Sequence, residues 1–349
     1  MFKKIPHKEI VDFTRVLSLL LYSRVSIIQA FELIHKQTKN EKLKGIIKSI
    51  LKDIKSGSSL SKSFAKYPNV FADIFIANLK VGEETGEIAE VIGEYSLFLQ
   101  KMQSLKGKIL QAIRYPVMVL VVALGVVIFM LVFIIPTFET LFQSVNAELP
   151  GITQFLLILS RGLVGNSTLL FFILITSAIV IYFGSKSDSF QKNIVDKTLV
   201  KLPVVSKMYV TNLLARFSLS MAILLKSRVG LVESLKISKN ITSNHLFRNQ
   251  IDHLLKKTIK GETLSSNVKA SLFFDPTFTR LLAAGEESAE LDKVFLQMSN
   301  YYSNEFDHYL DNVTSLLEPA LILIVGGIVA VILIGLYLPM FEIINYFGV

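Results

Sequence analysis

The chain has 349 residues, 51% of them hydrophobic and 19% charged, with a mean hydropathy of +0.51, a balance that excludes an ordinary soluble globular protein. Its net charge of +9 suggests nucleic acid until the placement of the charges is considered. With no cysteine, disulfides and thiolate metal sites are excluded.

From the N-terminus, Lys3 and Lys4 give a basic start, but Asp12 and Arg15 interrupt the apolar run and no small-residue cleavage site follows. A signal peptide is not expected. Ile10, Phe13, Val16, Leu17, Leu20 and Leu21 follow the three-and-four spacing of an amphipathic helix. Ser26 can cap a second helix, and Leu43 to Ile54 forms the apolar face of a third. Gly57 ends that helix, Ser58 or Ser59 can cap a short fourth, Phe71–Glu84 is a fifth, and a sixth runs on from Glu87. The spacing of strands appears nowhere.

Pro116–Ile135, Leu169–Phe183 and Pro319–Leu338 are free of charge. A helix needs about 20 apolar residues to cross a hydrocarbon core, so three spans are expected, the second short. Between the first two, Gln154–Val164 is mildly amphipathic and suited to the membrane surface. Of 37 Lys and Arg residues, 19 precede Pro116, 17 lie between Phe183 and Pro319, and Arg161 alone sits in the first loop. Positive residues stay inside. The expected order is therefore a cytoplasmic helical bundle over 1–111, a span over 112–136 and a periplasmic loop over 137–167. A span over 168–184, a second bundle over 185–316, a span over 317–338 and a periplasmic tail over 339–349 follow. The basic charge is thus a topology signal, and nucleic acid is not expected as a partner.

The chain is also self-similar. Leu21-Tyr-Ser-Arg-Val25 recurs 204 residues on as Leu225-Lys-Ser-Arg-Val229, and Gly57-Ser-Ser-Leu-Ser61 as Gly261-Glu-Thr-Leu-Ser265. After a slip of one, Gly82-Glu-Glu-Thr-Gly-Glu-Ile88 recurs as Gly285-Glu-Glu-Ser-Ala-Glu-Leu291. Pro116 matches Pro319 where the spans begin, and Pro136 matches Pro339 where they end. Ordered landmarks at one offset mark an internal duplication. The fold class is an all-α membrane protein, with two homologous cytoplasmic bundles of about six helices each and three transmembrane helices. Each sixth helix lacks a proline before its span, the first carrying only Gly93 and Gly107, and can enter the membrane as a stiff rod.

The glutamate turns are too short for a calcium loop and suit a helical hairpin, with Thr85 or Ser288 as cap and Glu87 or Glu290 near a helix N-terminus; a contact with a partner is the other reading. His245 and His253 stand eight apart, not at a chelating spacing, and neither a P-loop nor a Gly-x-Ser-x-Gly elbow occurs. No catalytic residue, metal or cofactor is expected, and the chain is not expected to be an enzyme. No charge falls in the apolar stretches Pro116–Ile135, Leu169–Phe183 and Pro319–Leu338, which disfavours an ion pathway; Gly326–Ala330 is the best candidate for close helix packing.

In combination these features resemble the type II secretion F / type IV pilus inner-membrane platform family (PilC/GspF). The turn is carried by Gly82, Glu83, Gly86 and Glu87 and by Gly285, Glu286 and Glu290, with Ala289 in place of the second glycine; Pro136-Thr-Phe138 and Pro339-Met-Phe341 carry the exit motif. The resemblance implies a scaffold in the bacterial inner membrane that contacts pilin or pseudopilin subunits, a hexameric assembly ATPase on the cytoplasmic side, other inner-membrane assembly proteins and lipid, and that forms a homo-oligomer. The function it implies is coupling of that ATPase to extraction and polymerisation of pilin or pseudopilin. A permease-like subunit of an exporter is the alternative.

Overall fold

A computed structural model describes residues 5–138, 140, 151–165, 203–242, 244–268 and 273–347. The described residues are helical and form two compact units, Met1–Lys108 with Lys192–Tyr309, and Ile109–Gln191 with Leu310–Val349. The first unit therefore holds both internal repeats.

Repeat one is built from α1 (His7–Tyr22), α2 (Ile27–Gln37), α3 (Glu41–Lys55), α4 (Leu60–Ala65), α5 (Asp73–Thr85) and the start of α6 (Ile88–Phe129). The expected punctuation holds. Ser26 accepts from Gln29 N and caps α2, Ser59 accepts from Lys62 N and caps α4, and Gly57 follows α3 with a φ of +87° that a side chain would resist. The core is aromatic. Phe64 stands edge-on to Phe71 and Phe75, with ring centroids at 4.6 and 4.9 Å, and Phe75 stacks on Tyr95. Phe13, Phe31, Phe64, Phe71 and Phe75 are all buried, each worth roughly 1.5–3 kcal/mol relative to exposure.

Repeat two follows α7 (Gly151–Gly165) in the chain. It comprises α8 (Pro203–Lys226), α9 (Leu231–Ser238), α10 (His245–Ile259), α11 (Leu264–Asn267), α12 (Pro276–Glu287) and the start of α13 (Leu291–Phe347). Its own core gathers Phe217, Phe247, Phe274, Phe278, Phe295 and Tyr302. The Tyr302 hydroxyl donates to Asp275 Oδ1 at 2.7 Å, and burial, with that carboxylate, pushes its pKa upward.

The two bundles are not separate. Leu219, Ile223, Leu224, Val229 and Ile237 of repeat two belong to the core of repeat one, because α5 packs on α8 and α9. Lys226 donates to Glu94 at 2.6 Å across this junction. Farther along, Lys101 donates to Asn300 at 2.5 Å and Lys108 to Asp307. Both pairs step seven residues forward, so α6 and α13 run side by side and parallel here. Burial, with Lys108 nearby, holds the Lys101 ammonium below the usual lysine range.

Among the described residues, three helices are long and apolar enough to cross a membrane: Ile88–Phe138, Val205–Lys226 and Leu291–Leu338. The first and third coincide with expected spans. The other lies in α8, where 67% of the most apolar stretch is buried inside the protein, against 11% and 22% for the other two; it is a core helix of repeat two. The expected span Leu169–Phe183 lies outside the described residues. As expected, α6 passes through Pro116 unbroken, and α13 passes through Pro319.

In the second unit α7 is not a free surface helix. Leu156 and Leu157 are buried with Leu131, Ile135, Ile332 and Leu336. A Cβ on Gly335 would come within 2.4 Å of the Leu156 side chain, whereas one on Gly326 or Gly327 would meet nothing. Among the described residues the close approach is thus at Gly335.

The exit prolines explain the position of α7. Neither ends a helix: Pro136 follows a π-turn, Met130–Ile134, and Pro339 lies inside α13. In the π-turn Ile135 N donates to Met130 O, and Pro136 has no N–H, so the Leu131 carbonyl loses both backbone donors. Ser160 Oγ donates to it at 2.5 Å. Pro339 likewise deprives the Gly335 carbonyl four residues earlier, and Thr153 Oγ1 donates there at 2.6 Å. Hydroxyls are a known way to re-satisfy backbone freed by proline in membranes. Ser160→Ala and Thr153→Val should each cost about 1 kcal/mol, seen as a lower unfolding temperature of the detergent-solubilised chain. Leu159→Ala, on the exposed side of α7, should leave it within error.

Candidate functional site

The motif residues form one turn in each repeat, and the structure gives each a separate task. Gly82, at the end of α5, faces α6; an added Cβ would meet Val91 Cγ2 at 3.0 Å. Gly285 has the same role, with Val294 Cβ at 3.0 Å. The first glycine therefore lets two helices of the hairpin close on each other.

Glu83 points away from the hairpin to the N-terminus of α4. Its carboxylate accepts from Leu60 N, from Ser61 N at 3.2 Å and from Ser61 Oγ. Glu286 repeats this on α11, accepting from Leu264 N at 2.5 Å, Ser265 N at 2.9 Å and Ser265 Oγ at 2.5 Å. A carboxylate in the last turn of a helix opposes that helix's own dipole. Here it serves the positive end of another helix and fills donors left open there.

Gly86 closes α5 in the left-handed conformation, φ +78°. Ala289 holds the equivalent place at φ +55° with a side chain attached, a conformation costing about 1–2 kcal/mol for a residue other than glycine. Thr85 accepts from Glu87 N, just ahead of α6, at 3.4 Å, but neither Thr85 nor Ser288 bonds into the first turn of the next helix as a cap would. Each belongs to the end of the preceding helix, donating to Val81 O and Ala284 O.

Glu87 and Glu290 are exposed. Glu87 lies 4.0 Å from Arg228, in the Ser-Arg-Val loop of repeat two, and Glu290 pairs with Lys293. The middle acids, Glu84 and Glu287, are exposed too. Glu84 and Arg228 line a cavity of about 550 Å³ between α5 and α9, with Asp73, Lys80, Glu233 and Lys236. Its three acids and three bases offset one another. The four prolines lie apart from these turns, along α6 and α13 and the π-turn.

Several partners of the motif were not legible in advance: Leu60 and Ser61 for Glu83, Leu264 and Ser265 for Glu286, Arg228 for Glu87. One signal did exist. The Gly-x-x-Leu-Ser segments recur in step with the glutamate turns, as two segments in contact would.

Helical bundles built twice, each continuing into a long apolar helix, define a tandem-repeat integral membrane protein whose motifs close its own bundles. The type II secretion system (T2SS), protein F family matches residues 13–136 and 217–339, and the chain belongs to that family. It is 30% identical over 343 residues to the type IV pilus assembly protein PilC of Thermus thermophilus, covering 98% of this chain and 84% of that one. It is 29% identical to PilC of Pseudomonas aeruginosa, covering 99% and 92%, and 25% identical to the type II secretion system protein F of the same organism, covering 98% and 84%. Family and apolar helices together make it an inner-membrane protein with an assembly platform role.

Removing Glu83 or Glu286 should orphan donors at a helix start: Glu83→Ala and Glu286→Ala are each expected to cost about 1–3 kcal/mol, measured by thermal unfolding of the full chain. Glu84→Ala should stay within about 0.5 kcal/mol. Ala289→Gly should raise stability by about 1 kcal/mol and Gly86→Ala should lower it by a similar amount.

Proposed function

We propose that this chain couples a cytoplasmic assembly ATPase to the extraction and polymerisation of pilin or pseudopilin subunits. The observation that supports this reading most is the pair of rods. The fused bundles hold α6 and α13 in parallel register through Lys101–Asn300 and Lys108–Asp307. Each rod is one helix from bundle to apolar segment, about 63 Å long for the 42 residues of α6 and about 86 Å for the 57 of α13. A push on the joined bundles is therefore delivered to two spans at once. Relatives named for pilus assembly and for type II secretion support the same role.

In this reading the N-terminus and both bundles are cytoplasmic and the C-terminus lies outside. The ATPase surface is assigned to the exposed acids of the turn in repeat one, Glu84 and Glu87. Glu83 and Glu286 are not assigned to it, since their carboxylates are engaged within each bundle.

Two experiments test this. Glu84→Lys should reduce co-purification of the ATPase and reduce piliation or secretion at least severalfold, with membrane levels of the chain unchanged; unchanged co-purification would remove the acids from that contact. For topology, single cysteines replacing Ser58, Ser144 and Ser266 in this cysteine-free chain should label from inside, outside and inside. A different pattern overturns the orientation.

A further inference from the structure

The two repeats are built alike but bury unlike faces. Repeat one lays α5 on α8 and α9 of repeat two, whereas among the described residues α12 makes no contact of comparable extent with α1 or α2. The consequence shows at equivalent positions 204 residues apart. Ile223 and Ile237, in the junction, are 4% and 9% exposed; their counterparts Leu19 and Leu33 are 61% and 43% exposed. Tyr22 and Ile28 extend the same open face.

The two faces nevertheless have the same shape. Arg24 and Arg228 share a φ of +59°, and the loops close alike, Val25 N donating to Leu20 O and Val229 N to Leu224 O. Arg228 reaches Glu87 of repeat one, while Arg24 is exposed. The opposite half of the junction is also left over in repeat two. On α12 and the turn after it, Ala283, Ala284, Glu287 and Glu290 are exposed. The alanines offer a shallow seat for leucines, and the acids oppose Arg24 in charge.

A contact between two different faces leaves one face of each kind unused, and such heterologous contacts propagate until a ring closes or a row forms. We propose that a second copy of this chain docks its α12 face on the α1–α2 face, repeating the internal junction so that Arg24 of one chain meets Glu290 of the next. The operator relating repeat one to repeat two keeps α6 and α13 parallel. Repeating it keeps every rod pointing the same way, as chains sharing one membrane require. The junction between chains is weaker than the internal one, because Tyr22 and Gln297 stand where Lys226 and Glu94 form an ion pair. The exposed Glu290–Lys293 pair contributes little, and Glu290 is free to exchange its partner. The inference stands independently of coupling to an ATPase.

The absence of cysteine makes the test direct. Two differently tagged full-length chains, one Arg24→Cys and the other Glu290→Cys, are co-reconstituted in lipid nanodiscs large enough for several chains and mildly oxidised. A cross-link is expected in the mixture and not with either variant alone, and a chain carrying both cysteines should give a ladder of dimers and higher species. Leu19→Glu with Leu33→Glu should weaken self-association by roughly tenfold or more, read by mass photometry, with an unchanged unfolding temperature. Should that variant fold poorly, Arg24→Glu should weaken association and Glu290→Arg in the same chain should restore it. A chain that stays monomeric overturns the proposal. So does efficient cross-linking of Arg24→Cys to itself, or an oligomer indifferent to both the leucine and the charge variants.

Discussion

A carboxylate that ends one helix and begins another holds each bundle closed. Glu83 joins the last turn of α5 to the first turn of α4, and Glu286 joins α12 to α11. Helices of six and four residues do not hold together alone in water, where a stable helix needs about 12–15 residues. Their start must be supplied with acceptors from outside. Supplying it from the hairpin fixes where α5, through Phe75, lies on Phe64 of α4, and hence where α6 leaves the bundle. The glycine before each glutamate lets α6 or α13 approach, and the residue after the turn sets its direction. The family motif is therefore a device for aiming a rod.

The prolines obey a related constraint at the other end of the rod. A proline inside a helix frees a carbonyl, and in hydrocarbon no water can satisfy it. Both spans carry such a proline, and one helix, α7, supplies a hydroxyl to each freed carbonyl. Thr153 and Ser160 stand seven residues apart, two turns along one face, which lets a single helix reach both spans. Leu131 and Gly335 lie nearly at the same place in their repeats, so the crossing is close to level. The exit motif creates an attachment point where none of the ordinary helix backbone would be available.

Much of this was legible in the sequence because its causes are local. Capping serines at 26 and 59, the stop at Gly57, the apolar lengths from Pro116 and Pro319, and the repeat itself all follow from neighbouring residues. What could not be read was set by residues far apart in the chain. Nothing near Glu83 says that it serves Leu60, and nothing in Gln154–Val164 says that spans 1 and 3 cover it. The same limit applies to Thr85 and Ser288, expected as caps of the following helix: a hydroxyl at a helix boundary can bond in either direction, and Thr85 does both, donating to Val81 O and accepting from Glu87 N.

Duplication sets a last constraint. Two identical bundles can pair symmetrically, each using the same face, or in sequence, each using a different face. Here the pairing is sequential: Ile223 and Ile237 are covered while Leu19 and Leu33 are open. The substitutions between repeats follow this division of labour. Lys226, which has an acid to meet at Glu94, replaces Tyr22, which stands over Gly93 with its ring atoms within 3.1 Å of where a Cβ would be. Gly93 is in turn Leu296 in repeat two, where no tyrosine covers the position. Each repeat has thus been fitted to one side of the junction while keeping the loop, the turn and the rod of the other. A chain fitted this way ends in two faces that match each other, and burying them requires another chain.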